Sequence, residues 1–285
     1  MNEIYLSMGA LVERRNGYDT APVARVIPQL TEEGYIAGGE FMMITKYYGS
    51  APALAASLVS EGCRFPTFHT DKNIGSVLSD GAVAAANGET GAIEMKRRAL
   101  DMFKENCETA CAAGSKRLVL HLWGGLSSDL NVSFNAEALE ELIGVADAYG
   151  LKILVENVPS VKRDPLSNWR ELEGYLDRIG LVFDTRFATC HRQPGETLSD
   201  CVVAPHIEHV HISDYRGGFK EFKCLRPVFH PGEGICDYPL IFGKLKEARY
   251  GGSFTLESPG ITDGGPAINA GALRRSLGFI ASSIG

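Results

Sequence analysis

Along the whole chain a short apolar run recurs, followed by a polar or glycine-bearing loop and then a stretch with helical period. Eight runs stand out: Ile4–Leu6, Gly39–Ile44, Phe65–Phe68, Arg117–Leu120, Lys152–Val155, Gly180–Phe183, Ile207–Ile212 and Ser253–Leu256. Runs this short and this rich in Val, Ile, Leu and Phe predict strands buried on both faces, which is the habit of a parallel sheet. Helix signals fill the intervals. Ile93, Leu100, Phe103, Cys107 and Cys111 share one face, with Gly114 placed to end it; Leu139, Leu142, Ile143 and Ala146 form a second stripe, ended by Gly150. Trp169, Leu172, Leu176 and Ile179 form a third, where Asn168 followed by Glu171 predicts a capping box. Pro22 suits a helix start before Val23, Val26, Ile27 and Leu30, and Pro28 is expected to bend or shorten that helix. Leu273, Leu277 and Ile280 mark a closing helix, whereas Pro194, Gly195 and Pro205 leave little room for a full helix in 185–206.

Eight strands alternating with about seven helices predict an α/β fold of the (β/α)₈ TIM-barrel type. No linker divides the sequence, so a single domain over residues 1–285 is expected. That length exceeds the usual ~150 residues per domain but is ordinary for one barrel. An open doubly wound sheet is the alternative, and no G-x-G-x-x-G follows the first strand to support its dinucleotide-binding form.

With 45% hydrophobic and 22% charged residues the composition is that of a globular protein. The 28 Lys and Arg against 35 Asp and Glu give a net charge of −7, which disfavours nonspecific binding to nucleic acid or to anionic membrane. No apolar run approaches the roughly 20 residues of a membrane helix. The first residues show neither a basic segment nor an apolar one of the export type, and the seven cysteines are odd in number with no Cys-x-x-Cys pair. Reduced thiols in a cytoplasmic protein are therefore expected.

The chemistry lies just past the apolar runs. Phe68 is followed by His69, Leu120 by His121, Val155 by Glu156, Phe183 by Asp184 and Leu256 by Glu257, while the seventh run carries His211 and then Asp214. In a barrel the C-terminal strand ends converge on one mouth, where active sites of this fold lie. Carboxylates and imidazoles gathered there need compensation, and Glu156, Asp184, His211 and Glu257 would suit one divalent ion: Mn²⁺, Mg²⁺, Co²⁺ or Zn²⁺.

Val155-Glu156-Asn157, Val182-Phe183-Asp184-Thr185, Val210-His211-Ile212-Ser213-Asp214, Pro231-Gly232-Glu233-Gly234 and Leu256-Glu257-Ser258-Pro259 occur in that order. In combination they resemble the xylose-isomerase-like TIM-barrel superfamily, which holds sugar isomerases and epimerases together with endonuclease IV. The resemblance spans nearly the whole chain and concentrates between residues 117 and 260. It implies metal ligands at Glu156, Asp184, His211 and Glu257, with Glu156 and Glu257 exchanging the substrate proton as in the ketose epimerases. His69 and His121 resemble instead the positions where the endonuclease branch holds a further zinc. Two departures oppose a three-metal nuclease site. Asp184-Thr185-Arg186-Phe187 replaces Asp-x-x-His, and Val228-Phe229-His230 replaces Asp-x-His. The first departure also leaves the epimerases' substrate-polarising His unassigned, with His191, His121 and Arg186 as candidates.

Further candidates follow from position. Trp123 with Gly124-Gly125 would form an aromatic wall and a close-approach loop for a sugar ring. Arg216 and Arg226 flank the loop after the seventh strand and suit a hydroxyl, carboxylate or phosphate. Glu40, inside the second strand, needs a buried partner. His209 should share a face with His211 two residues deeper in the barrel. The expected activity is isomerisation or epimerisation of a small sugar or related polyhydroxy carbonyl compound through an enediolate, with a homodimer possible. The alternatives are a zinc phosphodiesterase acting on abasic DNA and a nonenzymatic sugar-binding barrel.

Overall fold

The computed structural model describes residues 2–262 and 267–285. The eight parallel strands are β1 (Ile4–Ser7), β2 (Gly38–Met42), β3 (Thr67–His69), β4 (Arg117–Leu120), β5 (Lys152–Glu156), β6 (Gly180–Asp184), β7 (Ile207–Ile212) and β8 (Ser253–Leu256). They pair in chain order and β8 returns to β1, closing a (β/α)₈ barrel. β3 begins two residues later than the apolar run suggests, because Pro66 has no N–H to give to a ladder.

The period of two divides each strand between two environments. Register aligns Glu40 with Thr67, His69 with Val119, Val119 with Leu154, Asp184 with His211 and His211 with Thr255, so these residues share the inner face. Phe41, Phe68, Leu118, Ile153, Phe183, Val210 and Phe254 face outward and join the large apolar core beneath the helices. Among the described residues only Val119, Leu154 and Val182 make a separate apolar cluster inside. Between β6 and β7 the register shifts, pairing Leu181 with Ile207 but Val182 with His209. That one-residue bulge brings His209 and His211 level with Val182 and Asp184.

The outer ring contains α1 (Ala21–Glu32), α2 (Ala51–Ser60), α3 (Asn73–Ala86), α4 (Gly91–Ala112), α5 (Val132–Ala148), α6 (Pro165–Arg170), α7 (Thr185–Cys190), α8 (Pro194–Ser199), α9 (Tyr238–Glu247) and α10 (Ala270–Ile284). The stripes in α1, α5 and α10 are buried as their spacing implies. α1 continues through Pro28 to Glu32 rather than stopping at the proline. α4 departs from its expected face: Ile93 is 81% exposed and Cys111 is exposed, while Ala92, Ala99, Phe103, Cys107 and Ala110 are buried. The buried face of the helix is made mostly of small residues around Phe103. α6 is opened by Asp164, whose carboxylate accepts the Ser167 N–H at 2.8 Å, not by Asn168. Asn168 instead lies buried within the helix and donates to Ser160 Oγ at 2.9 Å. α3 has no strong apolar stripe because its buried face is built of Gly75, Ser79, Gly81, Ala82 and Ala84 beside Ile74 and Leu78. A Cβ at Gly75 would stand 2.8 Å from the Trp123 carbonyl oxygen and collide with that of His121, so only glycine lets α3 reach the end of β4. No helix among the described residues is long and apolar enough to cross a membrane.

Candidate metal and active site

His69 and Glu156 end β3 and β5, Asp184 ends β6, His211 lies one residue from the end of β7, and His121 and Glu257 follow β4 and β8 directly. The closed barrel turns these six sequence positions toward one mouth. His211 is the hub. Its Nδ1 lies 2.8 Å from Glu156 Oε1 and 3.6 Å from Glu257 Oε1, and its Nε2 lies 3.2 Å from Glu40. Asp184, His211 and Glu257 offer ligand atoms within 4.8 Å of one another, and so do His69, Glu156 and His211, and Glu40, His209 and His211.

Below the hub lies a buried relay. Glu40 Oε2 accepts from Nε2 of both His209 and His211, each at 3.2 Å. Burial, opposed by Glu40, leaves His209 neutral with its pKa down to about 4. Its Nδ1 then accepts the Ser253 hydroxyl at 2.7 Å while Nε2–H faces Glu40 and Thr255. Burial alone would raise the Glu40 carboxyl, but the His211 and His209 rings beside it hold it far below the carboxylate range. By holding the Nε2 proton of His211, Glu40 orients the imidazole so that Nδ1 looks into the mouth, the arrangement that supports metal-binding histidines generally.

Electrostatics around the hub are unbalanced. Burial, only partly offset by Arg186, raises Asp184 from 3.8 to about 7. His211 is driven well above its ordinary range: burial opposes this, but Glu40, Glu257 and Glu156 overcome it. Glu156 goes down despite its burial, because His211 and His121 stand beside it. His121 Nε2 lies 2.5 Å from Glu156 Oε2, yet that oxygen has no aligned hydrogen-bond donor; Asp184 Oδ2 and Glu40 Oε1 are likewise buried without one. Unsatisfied buried carboxylate oxygens are costly. A donor set of carboxylate oxygens and one imidazole, with orphaned oxygens pointing inward, fits a divalent cation of the Mn²⁺, Mg²⁺, Co²⁺ or Zn²⁺ type.

The other sequence candidates are placed as follows. Arg186 joins the site: its guanidinium bridges Asp184 at 3.5 Å and Glu257 at 3.6 Å and donates to the Leu225 carbonyl at 3.0 Å. His69 Nε2 stands 3.6 Å from Glu156 Oε2, its ring oriented by Nδ1–H donating to the Thr70 carbonyl at 2.8 Å. Trp123 is not an aromatic wall. It is fully buried, and its indole N–H is used on the Val158 carbonyl at 3.0 Å. His191 lies outside the clusters; Nε2 accepts the Ser160 N–H at 3.1 Å, and its ring packs by Phe219 and Phe222. Asp214 is a loop anchor, accepting N–H groups from Tyr215, Gly232, Gly234 and Cys236 at 2.8 to 3.0 Å. A side chain at Gly234 would strike that carboxylate, which explains the Pro-Gly-Glu-Gly turn. Arg216 reaches the mouth, stacking 4.0 Å from the Phe229 ring centroid and donating to the Glu233 carbonyl. Sequence reasoning passed over the role of Asn157, whose amide clamps the Asp184 backbone by donating to its carbonyl and accepting its N–H.

A closed barrel with carboxylates and imidazoles at its mouth defines the class, and the comparisons agree. The chain belongs to the xylose isomerase-like TIM barrel family, whose model matches residues 48–282. Structures of similar fold include the IolI protein with a bound zinc atom, 16% identical with a TM-score of 0.71 over 99% of this chain and 98% of that one. L-ribulose 3-epimerase is also 16% identical, with a TM-score of 0.68 over 100% of this chain and 95% of its own. A 3-keto-D-glucoside 4-epimerase from E. coli is 18% identical, with a TM-score of 0.66 over 99% and 100%. An uncharacterized protein of Methanocaldococcus jannaschii is 26% identical over 181 residues, 59% of this chain, and the match spans 59% of that relative's length.

Proposed function

We propose that this chain is a divalent-metal-dependent isomerase or epimerase of a small sugar or related polyhydroxy carbonyl compound. The observation that carries the reading is the approach of both Glu156 and Glu257 to one imidazole nitrogen, His211 Nδ1, at 2.8 and 3.6 Å. Asp184, His211 and Glu257, with Glu156 adjoining, would hold the metal, which supplies Lewis-acid polarisation of a substrate carbonyl when bound. The protein's own groups do the rest. One of the two glutamates takes the proton from the carbon beside the carbonyl, the C–H pair moving into an enediolate, and the other returns a proton to the opposite face. Arg186, held between Asp184 and Glu257, is placed to donate to the oxygen on which charge develops, the task for which no Asp-x-x-His residue is present. His121, next to Glu156, keeps that carboxylate ionised.

Proton exchange tests this directly. Metal-loaded wild type should wash deuterium from D₂O into the carbon beside the carbonyl of at least one ketose in a panel followed by NMR. Glu156→Gln and Glu257→Gln should each lower turnover by about 100-fold or more, since general acid–base catalysis contributes roughly 10² to 10⁴. Equal activity in wild type and both variants would remove the glutamates from the mechanism. The convergence of His69 and His121 on Glu156 favours the phosphodiesterase as second reading; nicking of an abasic duplex, lost in His69→Ala and His121→Ala, would establish it instead.

A further inference from the structure

Above the carboxylates the mouth widens into a cavity of about 480 Å³, within the roughly 300–1,000 Å³ typical of small-molecule sites. Arg186, Arg216 and Arg226 line it. Arg186 is matched by Asp184 and Glu257 at 3.5 and 3.6 Å. Arg216 spends one N–H on a neutral carbonyl, that of Glu233, and stacks on Phe229, so its charge is unmatched there. Arg226 directly follows Leu225, whose carbonyl Arg186 holds at 3.0 Å, which seats the Arg226 backbone one residue from the centre. Among the described residues neither Arg216 nor Arg226 makes an ion pair.

Isolated surface cations are ordinary and mean little. Here Arg216 and Arg226 line one cavity beside Arg186, and although Glu13, Glu233 and Glu257 line it too, neither Arg216 nor Arg226 is paired with a carboxylate among the described residues. Such crowding costs free energy unless an anion occupies the space between. Two guanidinium forks match the planar or tetrahedral oxygens of a carboxylate or phosphate. A neutral ketose would offer them only hydroxyls.

We infer that the substrate carries an oxyanion remote from its carbonyl, and that Arg226 and Arg216 form the subsite that receives it. The inference rests on the isomerase or epimerase reading for what happens at the other end of the molecule, but the anion subsite is built from protein groups alone. It therefore predicts binding that survives removal of metal, and specificity set by charge rather than by sugar stereochemistry.

Calorimetric titration with matched pairs tests it, using D-ribulose against D-ribulose 5-phosphate and D-fructose against the uronate of the same ketose, at about 50 mM and at about 200 mM salt. In metal-loaded and in chelator-treated protein the charged member should bind at least tenfold more tightly than its neutral partner, with the ratio shrinking as salt rises. The pair with the larger ratio identifies phosphate or carboxylate as the group recognised. Arg226→Gln and Arg216→Gln should each cut the ratio about tenfold. Both residues are exposed, so a circular dichroism spectrum matching wild type is expected as the folding control. Equal affinity for charged and neutral members in wild type, or variants that leave the ratio unchanged, would overturn the subsite. Charge-selective binding without deuterium exchange on any ketose would uphold the subsite and sink the isomerase reading. Exchange on neutral ketoses with no charge preference would do the reverse.

Discussion

Glu40 and Phe41 are neighbours in β2, as are His69 and Phe68 in β3, yet each pair faces two different solvents. Phe41 and Phe68 stack with ring centroids 5.1 Å apart in the shell between strands and helices. Glu40 and His69 point into the barrel, where among the described residues only Val119, Leu154 and Val182 cluster as apolar side chains. Barrels of this class are commonly filled with layers of branched aliphatic residues. In this one the upper interior is instead a network of Glu40, His209, His211, Ser253 and Thr255. The comparison teaches a division of labour. The shell supplies folding free energy through buried area, and the interior gives up apolar filling in order to aim an imidazole. Its polar groups are tolerable because most find partners, and the carboxylates of Glu156 and Asp184, each with an oxygen left without one, belong to the ligand clusters where a cation fits.

Three measurements would break or sharpen that contrast. Phe68→Ala should be the most damaging to stability, lowering unfolding free energy in chemical denaturation by about 3–5 kcal/mol through lost burial and the cavity left behind. Metal stoichiometry of the folded fraction should be unchanged. Glu40→Gln should cost less, about 1–3 kcal/mol, because shape and one acceptor oxygen persist while two histidines lose their carboxylate. Its larger signature should be a 10- to 100-fold loss of metal affinity, the usual penalty for removing the group that orients a liganding imidazole. Unchanged affinity would reduce Glu40 to a packing residue.

The smallest effect concerns pH. Asp184 has a folded pKa raised from 3.8 to about 7, chiefly by burial. In metal-free protein its proton therefore favours the folded state: that contribution is fully present below about pH 3.8 and is lost as pH rises through about 7. Metal must displace the same proton, so affinity should fall as pH drops below about 7, by up to tenfold per unit. Competition titrations between pH 5.5 and 8.5 would show it, and Asp184→Asn should reduce that slope to the part due to the His211 proton and remove most of the bound metal. A pH-independent affinity in wild type would take Asp184 out of the ligand set.

Sequence periodicity sufficed for the outward half of every strand. Apolar runs reveal residues such as Val210, Ile212, Phe183 and Leu256 because burial selects them on hydrophobicity, a property each residue carries alone. The polar residues at or just beyond the strand ends were legible for a related reason. A closed parallel barrel leaves those positions only one mouth to face, so composition at the ends announces chemistry before any distance is known. Where several small residues or one distant carboxylate did the work, local signal failed. α3 hides its packing face in Gly75, Gly81 and Ala82, and α6 takes its cap from Asp164 rather than from the motif at Asn168.

Tertiary structure alone decided which polar residues belong together. Trp123 and His191 looked like pocket residues by their place after strands, but Trp123 is fully buried and His191 serves a loop at Ser160. Glu40 and His211 are 171 residues apart in the chain and 3.2 Å apart in space, joined only because the barrel closes and a bulge between β6 and β7 sets the register. Hydrophobic burial is a sum over single residues, so a sequence can display it. An ion pair, a relay or an anion subsite is a property of pairs whose interaction energy falls with the inverse of their separation in space, and separation along the chain says nothing about that until the fold is closed.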